Sequence, residues 1–264
     1  MKKIKYLLAI FSPFILLLLI AIPLSKITTL VDFDNMIIRF EFTKLILKHP
    51  RRVAYILIVL FGWQLLRFKN KKKEFAPVDM YGNFPYYLYI LVRVLIGYNK
   101  VDLKMKPIPL QFKLLDNNRF ECFDSTSFSD KKVKYRVSYV GNINKKTEKI
   151  NLIVSDTYKI PIDKIPKSAK EFPTILISRT EKKNDGLRIY SQQLIDIIHS
   201  EVEKSKSKCK NYNLFLTTTG KTNMEIYRQV FQTGHRDDFV LNIYQANSNN
   251  DFKYDETPAA TINS

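Results

Sequence analysis

The sequence predicts an α/β protein: N-terminal transmembrane helices followed by a Rossmann-like cytosolic domain with a mainly parallel sheet. Three observations predict it. Twenty uncharged residues, YLLAIFSPFILLLLIAIPLS, lie between Lys5 and Lys26. Short apolar runs and helical patterns alternate through residues 150–244, the order of an α/β sandwich. A strand-turn-helix pattern, NLFLTTTGKTNMEIYRQVF, fills residues 213–231.

The first run matches the thickness of a bilayer's hydrocarbon core, about 30 Å at 1.5 Å per helical residue. No water is available there, so the backbone must satisfy itself as a helix. Lys2, Lys3 and Lys5 imitate the basic start of a secretory signal, but no small-residue cleavage site follows cleanly. A second apolar segment, Val53–Leu66, lies between Arg51, Arg52 and Arg67, and Trp63 and Tyr55 suit an interface. It reads as a short span, or else as an interfacial or buried helix. The cluster Arg67, Lys69, Lys71, Lys72 and Lys73 then marks the cytoplasmic side, as does the basic N-terminus. A third stretch, YYLYILVRVLIG at residues 86–97, is too short to span and fits a membrane-surface or packed helix. The expected organisation is an anchor at 1–73 with two transmembrane helices and a linker or interfacial helix at 74–99. A cytosolic domain follows at 100–246, then a flexible tail at 247–264.

Within the domain, Leu110–Leu115 and Arg119–Phe123 read as short strands around the turn Asp116-Asn117-Asn118. Lys132–Val140 alternates with period two, as a half-buried strand does. Ile150–Val154 and Thr174–Ser178 read as buried strands, with Pro161, Pro166 and Pro173 punctuating the loop between them. Ser191 is placed to cap a helix whose apolar face is Leu194, Ile195, Ile197, Ile198 and Val202, ending near Lys208. Asn213–Leu216 is the next strand. Met224, Ile226, Tyr227, Val230 and Phe231 recur at helical spacing, and Phe239–Tyr244 is the last strand.

Charge bounds the partners. Residues 1–99 hold 15 basic against 5 acidic residues, and residues 100–264 hold 28 against 20. More than half of the +18 excess therefore sits beside the anchor, which points to a lipid bilayer with anionic headgroups and away from DNA. Two cysteines, Cys122 and Cys209, build neither a disulfide framework nor a metal set and fit a reducing compartment. His49, His199 and His235 have no ligand spacing, so no metal and no cofactor is expected. Ser155 lacks a placed base, Asp237-Asp238 read as a turn, and Glu201 and Glu203 face different ways on their helix. The chain is expected not to be an enzyme.

The chemistry-bearing segment is Thr217, Thr218, Thr219, Gly220 and Lys221. Amides at a helix start attract anions, glycine lets backbone approach, hydroxyls donate, and Lys221 adds a point charge. Gly220-Lys221-Thr222 ends like a Walker A loop, but that loop needs a glycine where Phe215 stands. The alternative is a plain strand-to-helix turn with a threonine cap.

The stretch NYNLFLTTTGKTNMEIYRQVF, with DDFVLNIYQ after it, resembles the C-terminal part of SAVED domains, CARF-like sensors of cyclic oligonucleotides in bacterial anti-phage signalling. The resemblance covers residues 174–254. SAVED loops usually carry a small apolar residue and a proline where this chain has Thr217–Thr219, and they usually comprise two CARF-like halves. The resemblance implies a CARF/SAVED-like domain that binds a cyclic di- or oligonucleotide through residues 217–221, with Tyr158, Arg179 and Tyr244 stacking on bases or adding charge. It further implies a CBASS-type effector of the bacterial inner membrane that oligomerises on binding and disrupts the bilayer. Two alternatives remain: a membrane-anchored scaffold without a small ligand, and a membrane-bound nucleotide hydrolase.

Overall fold

A computed structural model describes residues 11–13, 15–16, 50–75, 84–129, 132–180, 188–232, 239–247 and 251–263. The chain divides into two compact units, Met1–Phe75 with Tyr87–Lys100, and Ala76–Tyr86 with Val101–Ser264. The expected first span lies outside the described residues, apart from 11–13 and 15–16, which are helical.

In the first unit, helix α1 (Pro50–Asn70) precedes strand β1 (Glu74–Phe75) and helix α2 (Tyr86–Ile96). The two helices are fastened at one end. Trp63 Nε1 donates to the Leu95 carbonyl at 2.7 Å, and Asn70 Nδ2 donates to that of Ile96 at 3.3 Å. Gly97 ends α2 in the left-handed region at φ 92°, where a Cβ would lie 2.5 Å from Arg67 Cα. The Arg67 guanidinium covers the Trp63 ring at 5.2 Å. Tyr89 packs edge-on against Phe75 at 4.9 Å. Ile56, Leu57, Leu60, Phe61, Leu65 and Phe68 of α1 are exposed. Among the described residues, no helix is long and apolar enough to cross a membrane. The uncharged part of α1 explains this: Val53–Leu66 reaches only about 21 Å at 1.5 Å per residue.

The second unit holds β2 (Lys100–Asp102), α3 (Ile108–Asp116), β3 (Glu121–Phe123), β4 (Tyr135–Val140), β5 (Ile150–Ser155) and β6 (Thr174–Arg179). It continues with α4 (Gln192–Ser205), β7 (Asn211–Leu216), α5 (Gly220–Glu225), a π-helical turn (Ile226–Phe231) and β8 (Val240–Ile243). Three short strands close the chain: β9 (Ala246–Asn247), β10 (Lys253–Tyr254) and β11 (Ala260–Asn263).

Six strands form one sheet in the order β11-β8-β7-β5-β6-β4. The four central strands run parallel, and β4 and β11 pair antiparallel at the two edges. The expected mainly parallel sheet is therefore mixed. Every residue of β5 is buried, as a continuous apolar run covered on both faces requires.

Three local expectations are corrected. Leu110–Leu115 is helical, not extended: Pro107 and Pro109 open the turn, and Leu110, Phe112, Leu114 and Leu115 bury one broad side. Ser191 occupies the cap position of α4 without a side-chain capping bond. The end of the chain, expected as a loose tail, supplies edge strand β11, whose Ile262 and Ala260 are buried.

One face of the sheet is covered by α4 and the π-helical turn, which pack on each other. Tyr212 meets Phe231 and Phe239 there at 5.9 Å each, and its hydroxyl lies 2.8 Å from that of Ser205. On the other face, Ile153, Phe215, Tyr244 and Tyr254 pack with Ile160, Ile165 and Ala169. Beside that apolar row runs a polar one: Thr174, Asn151, Asn213, Asn242 and Thr261 are register partners across five strands. Thr261 Oγ1 donates to Asn242 Oδ1 (3.2 Å), Asn242 Nδ2 to Asn213 Oδ1 (3.1 Å), and Asn213 Nδ2 to Asn151 Oδ1 (2.9 Å). Asn151 Nδ2 finishes on the Ala169 carbonyl at 2.7 Å and on Thr174 Oγ1 at 3.0 Å. Each buried amide thereby finds the partners that burial demands.

Candidate ligand pocket at the strand ends

β5 leads to β6 on one side, whereas β7 lies on its other side. Ligand sites of α/β sheets form at such a reversal, beyond the carboxyl ends of the strands. A cavity of about 280 Å³ opens there. The strand ends are tied together around it. Thr217 N–H donates to the Val154 carbonyl (3.0 Å), Thr157 N–H to that of Thr217 (2.8 Å), and Thr217 Oγ1 to that of Tyr158 (2.6 Å).

A relay of side chains joins this loop to the segment before α3. Thr218 Oγ1 donates to Asn223 Oδ1, and Asn223 Nδ2 donates to Gln111 Oε1 at 2.8 Å. Gln111 Nε2 in turn reaches the carbonyls of Lys106 (2.8 Å) and Leu103 (3.3 Å). That segment turns tightly, with Met105 at φ 60°. Asp102 Oδ1 fastens it by accepting from the amides of Lys104 (2.9 Å) and Ser125 (3.1 Å).

Thr219 caps α5 by accepting from the Thr222 amide at 3.3 Å. The Lys221 amide donates to Asp124 Oδ2 at 2.7 Å, so a carboxylate of the chain itself already complements this helix start. Gly220 is needed for close approach: a Cβ there would lie 2.8 Å from Leu103 Cβ and 3.0 Å from Asp124 Oδ2.

Of the eight residues singled out in the sequence, Thr217, Thr218, Thr219, Gly220, Tyr158 and Tyr244 line this one cavity. Arg179 and Lys221 do not. The Arg179 side chain is 4% exposed and pairs with Asp156 at 3.0 Å, and Tyr135 donates to the same oxygen at 2.8 Å. Burial pushes the Asp156 carboxyl above its ordinary range, against the pull of Tyr135 and Arg179. The Lys221 ammonium stands 4.1 Å from the Tyr190 ring centroid and 5.6 Å from that of Phe128.

The structure adds Lys104, Lys106, Arg188, Gln245 and Tyr254 to the wall. The charged members are all cations; no carboxylate is among the described lining residues. The only trace of this in the sequence is the doublet Lys104-Met105-Lys106 before Pro107. Tyr158 is 60% exposed at the mouth. Tyr244 stacks on Phe215 at 4.6 Å, and burial, then Glu256, raises its hydroxyl pKa. The arrangement suits a ligand with anionic groups and flat rings. Among the described residues, no group of His, Cys, Asp and Glu could hold a metal ion.

Residues 1–258 match the family of SMODS- and ubiquitin system-associated 2TM effector domains. No curated protein matches the chain. Solved structures with a similar course include the Acinetobacter baumannii Cap4 SAVED/CARF-domain containing receptor with the cyclic trinucleotide 2′3′3′-cAAA. That match has TM-score 0.45 and 12% identity, over 68% of this chain and 42% of that one. The same receptor with 3′3′3′-cAAA matches at TM-score 0.42 and 13% identity over the same shares. The chain thus spans about two-fifths of the receptor's length.

Proposed function

The chain belongs to the family of SMODS- and ubiquitin system-associated 2TM effector domains, and from that premise we propose a membrane effector of bacterial anti-phage defence, gated by a cyclic oligonucleotide. The ligand enters the cavity at the strand ends. The observation that carries this reading is its wall: Lys104, Lys106 and Arg188 without a carboxylate, beside the exposed ring of Tyr158, whereas Tyr244 is buried and stacked on Phe215. Cations neutralise phosphodiesters, and tyrosine faces accept bases of any identity. The threonine loop shapes the site, because its hydroxyls are committed to Tyr158, Asn223 and Thr222.

The uncharged run at residues 6–25 and the exposed apolar side of α1 supply the membrane contact. Both chain ends lie inside, with the cation cluster 67–73 at the cytoplasmic headgroups of the inner membrane. Ligand binding favours an assembled state by its higher affinity for that state, and the gathered anchors breach the bilayer.

The full chain in vesicles tests this. Cyclic di- and trinucleotides are expected to raise its unfolding midpoint and to release an entrapped dye, and to be recovered uncleaved. A flat response across the whole set leaves a membrane scaffold instead. Recovery of linear product makes the chain a nucleotide hydrolase.

A further inference from the structure

At about 280 Å³ the first cavity lies at the lower edge of small-molecule sites, which span roughly 300–1,000 Å³. A ring of two or more nucleotides overflows it. A second cavity, of about 520 Å³, is lined from three of the same stretches of chain. Thr126, Arg188 and Gly220 line the first; Phe128, Tyr190 and Lys221 line the second. Two of these segments are tied together, the Ser129 amide donating to the Arg188 carbonyl at 3.0 Å. Thr126 and Phe128, like Arg188 and Tyr190, stand two positions apart, and Gly220 and Lys221 are adjacent, so the chain runs from one cavity to the other in three places.

The second cavity has its own chemistry. The Phe128 and Tyr190 rings meet edge-on at 6.2 Å, and the Lys221 ammonium lies against the Tyr190 face. The Tyr190 ring is positioned by these two contacts, and its exposed hydroxyl donates to Gln192 Oε1 at 2.8 Å. Lys132 is the other charged lining residue, and no carboxylate is among those described. A cation resting on a π-face occupies the place of a stacked ring.

We propose that this Phe128–Tyr190–Lys221 cavity is a second nucleotide subsite, in which a base stacks on Tyr190 and Lys221 moves onto the phosphodiester joining it to the nucleotide in the first cavity. The proposal rests on the cyclic-oligonucleotide reading and adds to it that one protomer grips two consecutive nucleotides. No bond is made or broken.

The experiment measures binding of the trinucleotide ring 3′3′3′-cAAA, cyclic di-AMP and AMP to the full chain in nanodiscs. Tyr190→Leu and Lys221→Gln are each expected to weaken ring binding about tenfold and to leave AMP binding unchanged, while Tyr190→Phe keeps ring affinity. Lys104→Gln weakens rings and AMP alike. If rings bind Tyr190→Leu and Lys221→Gln as tightly as wild type while Lys104→Gln loses them, the second subsite is wrong and the functional reading stands. Equal loss of AMP and rings in Tyr190→Leu also overturns it, since Tyr190 then shapes the first cavity. If neither ring binds the wild-type chain, both fall together.

Discussion

Asp156 illustrates how far single residues could be read. Its place after an apolar strand was legible, and so was that of Arg179 at the end of the next. Their 3.0 Å pairing was not, because it depends on which strands are neighbours. The same limit hid Lys104 and Arg188, which come to the cavity from distant segments without a motif, whereas residues 217–220 announced themselves by spacing. The buried carboxyl carries a prediction. Its pKa in the fold is raised by burial, so the fold favours the protonated form. Its contribution is complete below the ordinary carboxylate value of about 3.9 and is lost as pH rises through the higher folded value. Thermal unfolding across that window is expected to show the advantage of the wild type over Asp156→Asn shrinking as pH rises; a difference independent of pH would refute the assignment.

Elements were legible where a single period dominated. The central strands β5, β6 and β7 were recognisable as apolar runs, and α4 by its apolar face. Helix α3 was misread because Leu110, Phe112 and Leu114 also alternate with period two, and only the helix's own packing decides. The last strands were missed for another reason: Ala246–Asn247 and Ala260–Asn263 hold too few apolar residues to signal burial, and their stability comes from the strand beside them. Tyr254 shows how firmly that end is docked. It is 8% exposed and meets Phe215 edge-on at 5.1 Å beneath the first cavity. Tyr254→Ala is expected to cost about 3 kcal/mol in urea unfolding and to weaken ring binding through the loosened floor. An unchanged midpoint would mean that this segment does not pack on the sheet.

At the scale of the molecule, the amide row sets how the sheet is assembled. A slip of one residue between any two central strands would place Asn151 or Asn213 against an apolar neighbour and turn both faces over. Asn213→Ala orphans the Asn151 oxygen and is expected to cost about 2 kcal/mol, read as a lowered urea midpoint with the denaturant slope preserved. A markedly smaller slope would instead report an incomplete sheet. The hydrogen bonds of this row all point one way, from Thr261 through Asn242 and Asn213 to Asn151 and the Ala169 carbonyl. Their dipoles add instead of cancelling, and each link polarises the next. Conversion of any one asparagine to aspartate, as slow deamidation achieves, would set two oxygens face to face and halt the whole procession, so chemical ageing at a single buried amide would be felt across five strands at once.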